Sequence, residues 1–243
     1  MSAKKAIKYI CVFLVAPLIV LSGVFFFGDR RYAFISLALS VVACIPFFVS
    51  FERGKNDSRR IVIIAVMTAL SVAGRFVFAP IPFFKPVTAI VIITAIYLGS
   101  EAGFITGAFS AVVSNFYFGQ GPWTPFQMLA WGLIGFIAGL LAERLVKSKV
   151  LLVIYGALSG VAFSFIMDVW TTLWADGTFN FARFFASITT AAPFTAVYMV
   201  SNVIFLLLLT KPIGSKLQRL KTKYGIFYEK QEQGFFYKAI PQL

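Results

Sequence analysis

The chain has 243 residues, 60% of them hydrophobic and 13% charged, with a mean hydropathy of +0.88 and a net charge of +13. That balance lies far from a soluble globular domain and places the chain in a lipid bilayer, where unpaired backbone groups leave only helices or a closed barrel. Histidine is absent, which removes Ser-His and Cys-His nucleophile pairs and the usual zinc sites.

A hydrocarbon core about 30 Å thick takes roughly 20 apolar residues per helical span. Eight apolar runs are long and continuous enough to read as helices: 7–27, 32–50, 60–79, 86–99, 102–118, 125–146, 150–172 and 187–210. Lys4, Lys5 and Lys8 precede the first, but no small-residue cleavage site stands before Gly28-Asp29-Arg30-Arg31, so this run reads as a retained anchor. Cys11 and Cys44 sit in the first two runs without CxxC spacing and read as reduced packing residues.

Cytoplasmic loops of membrane proteins collect positive charge. With the N-terminus inside, Arg53, Lys55, Arg59 and Arg60, the turn Arg144, Lys147 and Lys149, and the basic tail from Lys211 to Lys238 are cytoplasmic. Only Arg30, Arg31, Arg75, Lys85 and Arg183 then face outward, and both termini lie in the cytoplasm. The positive charge is a topology signal and an attraction to anionic lipid heads; scattered over short loops, it does not make a nucleic-acid surface.

The third run, "SRRIVIIAVMTALSVAGR", places Ala65, Ala69 and Ala73 one turn apart on one helical face. Such a ridge admits close approach of another helix, either a partner's or one of this chain. Gly103 with Gly107, Gly135 with Gly139 and Gly156 with Gly160 repeat the spacing and suit packing within the chain.

Three connections fall on the outer face: "APIPFFKP" (79–86), "NFYFGQGPWTPFQMLAW" (115–131) and "WADGTFNFARF" (174–184). Each mixes aromatic and polar residues with helix breakers, and non-helical backbone near membrane depth is tolerated where it is buried in protein or lines a wet cavity. Trp123, Trp131, Trp170 and Trp174 would also suit an aromatic interfacial belt. Asn115, Gln120, Thr124 and Gln127 beside them favour an outward-opening pocket with a few orienting polar groups. Asp168 and Arg75 lie at similar depth and could pair, contact a ligand or snorkel to the interface.

Neither GxxxxGK[ST] nor GxGxxG occurs, no metal-ligand cluster is present, and Asp168 has no second carboxylate near it, so neither catalysis nor a bound cofactor is expected. There is no internal repeat of a secondary carrier and no polar stripe of a channel. A cup open on one side needs a partner to supply energy and motion. The competing class is a non-transport membrane scaffold or assembly factor without a tight small-molecule ligand.

The segment from Ser58 to Lys211 resembles the substrate-binding S component of an energy-coupling-factor (ECF) vitamin transporter. The resemblance rests on Arg59-Arg60 followed by Ala65, Ala69 and Ala73, on "APIPFFKP", and on "FITGAFSAVVSNFYFGQGPWTPFQMLAWGLIGFIAGLLAERL", whose "GQGPWTPFQMLAWG" is similar to the cobalamin-type members. It implies an all-α integral membrane protein of the cell membrane with a six-helix core. Two additional transmembrane helices precede that core within 1–57, the substrate domain is 58–211, and 212–243 form a basic cytoplasmic tail. It implies capture of cobalamin or a related corrinoid, with another vitamin or small metabolite as the alternative. The expected vitamin site is Asn115, Gln120, Trp123, Gln127, Trp131, Asp168, Trp174 and Asn180. Ala65, Ala69 and Ala73 would dock on a membrane scaffold subunit that carries two cytoplasmic ATPases.

Overall fold

The computed structural model describes residues 58–224 together with Val41, Val42, Cys44, Ile45 and Phe48. The expected span 7–27, most of 32–50 and the tail beyond Tyr224 lie outside the described residues. Among the described residues the regular elements are helices: α1 (Ser58–Val77), α2 (Val87–Leu98), α3 (Ser100–Phe118), α4 (Thr124–Leu140), α5 (Ala142–Lys147), α6 (Lys149–Asp176) and α7 (Phe181–Tyr224). Helices α1, α6 and α7 are long and apolar enough to cross a membrane.

Helix α2 forms the centre. All 12 of its residues are buried, as a helix apolar on every side requires. Close backbone approach assembles the rest around it. A Cβ on Gly103 would lie 2.8 Å from the Gly135 carbonyl oxygen, and one on Gly107 would lie 2.5 Å from the Trp131 backbone, so α3 and α4 touch where side chains are missing. Gly156 and Gly160 serve α6 in the same way against Leu206 and Met199 of α7. Cys44 belongs to the buried core, and the Phe48 ring packs edge-on against Phe104 and Phe109 at 6.3 and 5.7 Å.

Two helices differ from expectation. The run 125–146 is interrupted at Leu141, whose φ of −95° and ψ of 8° separate α4 from α5, just after Gly139 meets the Ser100 backbone. The run 187–210 is part of a 44-residue helix that passes through Pro193 and Pro212 to Tyr224. A rod of that length measures about 66 Å, roughly twice the hydrocarbon thickness. Lysine and arginine end a lipid-compatible stretch without ending a helix. The boundary drawn at 211 therefore falls inside a continuous helix whose Leu217, Gln218 and Lys221 are buried.

The connections alternate between two ends of the bundle. Residues 78–86, 119–123 and 177–180 lie at one end, and Gly99 and Ser148 at the other. Arg60 and Glu101 pair at 3.4 Å at that second end.

Candidate functional site

The polar-aromatic knot between α3 and α4 is built from its helix breakers. Gly119 stops α3 with φ +100°, a conformation that favours glycine, and α4 restarts at Thr124 with Pro125 in its first turn, where a missing N–H leaves no intrahelical bond unmade. The carboxamides then bridge the gap. Asn115 Nδ2 donates to Thr124 Oγ1 at 2.9 Å and to Gln127 Oε1 at 2.8 Å. Thr124 donates to Gln120 Oε1 at 3.0 Å, and Gln120 Nε2 donates to the Val112 carbonyl at 2.9 Å. In this conformation the amides expected to meet a ligand are satisfied largely by one another.

Below the knot lies a buried aromatic layer. Trp131 is fully buried, stacks on Phe163 with ring centres 4.9 Å apart, and donates its indole N–H to the Tyr198 hydroxyl at 2.8 Å. That hydroxyl is left with its own proton for Thr88 Oγ1, 2.5 Å away. Helices α2, α4, α6 and α7 thus meet at one point.

Two cations face this layer. Arg75 of α1 donates through Nη1 to Ser114 and, at 2.8 Å, to Asn115 Oδ1, and its guanidinium lies 4.5 Å from the Phe118 ring and 5.5 Å from the Trp131 ring. Lys85 comes from the α1–α2 connection. Its backbone is clamped to α7 in both directions: its N–H donates to Ser201 Oγ at 2.8 Å, and Ser201 Oγ donates to its carbonyl at 3.1 Å. Two residues earlier Phe83 holds φ +60°, an uncommon conformation for a side-chain-bearing residue. The Lys85 ammonium is surrounded by Phe83, Trp131 and Tyr198 at 5.8, 5.9 and 5.6 Å. Burial, and second the charge of Arg75, lower its pKa to about 7.

The other expected site residues separate. Trp123 and Trp174 are exposed at the loop-bearing end, Trp123 over Gly121 and Trp174 against Trp170 at 5.0 Å. Trp170 is buried beside Phe126. The four tryptophans are therefore two core residues and two surface residues, not one belt. Asn180 caps α7, its Oδ1 accepting from the backbone N–H groups of Ala182 and Arg183 at 2.9 and 3.3 Å. Asp168 is buried and has no salt bridge or side-chain hydrogen bond among the described residues. The ion-pair alternative for Arg75 and Asp168 is thus not realised, because Arg75 turns to α3. Ala65, Ala69 and Ala73 are all exposed along α1.

Sequence reasoning passed over Lys85, Tyr198, Ser201, Thr88 and Phe163. A signal was present for two of them: in "TAVYMVSN" Tyr198 and Ser201 stand three apart, on one face of an otherwise apolar helix. The other three carry no mark in sequence, since a single lysine in a proline-rich loop reads as an interfacial charge.

Residues 55–216 match the family model described as ECF-type riboflavin transporter, S component. No curated protein and no solved structure matches the chain.

Proposed function

The chain belongs to the ECF-type riboflavin transporter S component family, and on that premise we propose that it captures a flavin vitamin from the extracytoplasmic side of the membrane. As an S component it is a transporter subunit that binds a vitamin and couples to an ECF scaffold and ATPases. The observation that carries the flavin reading is the family match itself, which points to riboflavin and not to the corrinoid suggested by "GQGPWTPFQMLAWG". The rings open to a flat tricyclic ligand are the exposed indoles of Trp123 and Trp174 at the loop-bearing end, since the Trp131 and Phe163 faces are stacked on one another.

In this reading Gln120, Trp123, Gln127 and Trp174 stand nearest the opening, while Asn115, Trp131 and Asp168 lie deeper. The cytoplasmic end is the one bearing Arg59, Arg60, Arg144 and Lys147, by the positive-inside rule. Ala65, Ala69 and Ala73 form the ridge on which the scaffold seats. Beside the ridge, a groove of about 550 Å³ lies between Val62 and Val66 of α1 and Leu217 and Leu220 of α7, and it is not lined by the three alanines.

The test is purification of the full chain in mild detergent, with absorbance and mass spectrometry for a co-purified vitamin and a riboflavin titration followed by flavin fluorescence. Saturable one-to-one quenching is expected. Stoichiometric cobalamin with no flavin binding would overturn the assignment.

A further inference from the structure

Arg75 and Lys85 approach the same indole without a counter-charge. Their charged groups lie 5.5 and 5.9 Å from the Trp131 ring centre, and among the described residues neither takes part in a salt bridge. Arg75 spends one nitrogen, Nη1, on Ser114 and Asn115, so Nη2 and Nε have no hydrogen-bond acceptor among the described residues. The Lys85 ammonium likewise has ring faces around it and no acceptor among the described residues. Ring faces attract cations but cannot neutralise them.

The placement of Lys85 is imposed by the fold. The Ser201 clamp on both sides of its peptide and the left-handed turn at Phe83 direct a long, flexible side chain toward Trp131 and Tyr198. A lysine required only for topology would gain more by extending into water. Holding two like charges near one another beside buried rings is unfavourable unless something negative joins them or the lysine gives up its proton, and a buried ionisable group such as Arg75 inside a span marks a ligand site.

Resting on the flavin reading, we infer that Arg75 and Lys85 form the anion-binding end of the vitamin site and take the phosphate monoester of a phosphorylated flavin. A phosphate monoester carries about −1.5 to −2 charges at neutral pH, which matches two cations, and offers three acceptor oxygens. A carboxylate would leave one cation uncompensated. The free guanidinium edge presents parallel N–H groups suited to a phosphate, and the lysine adds a point charge.

The experiment compares riboflavin with riboflavin 5′-phosphate by fluorescence titration of the full chain in detergent, alongside thermal unfolding with and without inorganic phosphate. Wild-type protein is expected to prefer the ester by about tenfold or more, the range of one charge-assisted hydrogen bond. That preference collapses toward unity in Lys85→Met and in Arg75→Gln and survives in Lys85→Arg. Equal binding of both flavins by wild-type protein, or a preference for riboflavin, overturns the anion site and leaves the flavin reading standing. If neither flavin binds but inorganic phosphate raises the unfolding temperature of wild type and not of Lys85→Met, the flavin reading falls and the anion site holds. No response to either flavin or to phosphate overturns both.

Discussion

The indole N–H of Trp131 reaches the Tyr198 hydroxyl at 2.8 Å, joining α4 to α7 in a site where both side chains are buried. Tyr198→Phe keeps the ring but strands the indole N–H and the Thr88 hydroxyl. An unsatisfied buried polar group costs about 1–3 kcal/mol. A lower unfolding temperature in detergent and weaker flavin binding are the expected readings, and an unchanged melting curve would mean that the bond adds nothing.

Asn115 connects Arg75 to Thr124 and Gln127 through three hydrogen bonds. Asn115→Ala should destabilise the chain by about 1–3 kcal/mol, since the partners remain buried or half-buried. Asn115→Asp has a different signature: a carboxylate beside Nη1 neutralises Arg75, so discrimination in favour of the phosphorylated flavin should drop by about tenfold. The two variants are separated by measuring stability and ligand preference on the same samples.

Closure of α3 on α2 and α4 leaves no space for a methyl group at Gly103, where a Cβ would collide with the Ala95 Cβ and lie 2.8 Å from the Gly135 carbonyl oxygen. Gly103→Ala is expected to lower stability by about 1–3 kcal/mol, the usual range for overpacking. Thermal unfolding checks it, with Gly119→Ala as a contrast in which backbone strain, not crowding, is the cause.

For the ridge, Ala69→Trp enlarges an exposed residue of α1. Flavin titration of the isolated chain should be unaffected, while co-purification with the scaffold subunit and cellular uptake should be lost. Retained uptake would remove α1 from the docking surface.

Binding of the phosphorylated flavin should depend on pH through Lys85. Its ammonium, lowered to about 7 by burial and then by Arg75, is charged below that value and loses its proton as pH rises through it. The groups facing it are the Arg75 guanidinium and the Tyr198 phenol, with no carboxylate in contact among the described residues. Since the phosphate gains its second charge near pH 6, affinity for the ester should peak at about pH 6–7 and fall toward pH 9. Lys85→Arg flattens the alkaline side; a wild-type profile flat from pH 6 to 9 would exclude Lys85 as the titrating contact.

The apolar runs were sufficient to place the chain in lipid and to locate most of the helices among the described residues, and the glycine spacing marked where they touch, because a bilayer accepts few backbone solutions and small residues mark close approach. Recognition of the ECF family also came from local strings such as Arg59-Arg60 with Ala65, Ala69 and Ala73. The length of α7 did not come from hydropathy, which reports where lipid ends and is silent on where a helix ends. Nor did the fate of the polar residues: Asn115, Gln120 and Gln127 read as ligand groups, and folding turned them toward one another and toward Arg75. Only the tertiary structure brought Lys85, Trp131 and Tyr198 together from the α1–α2 connection, α4 and α7. Contacts between residues distant along the chain depend on how helices rotate and close on one another, and no local pattern of residue types records that rotation.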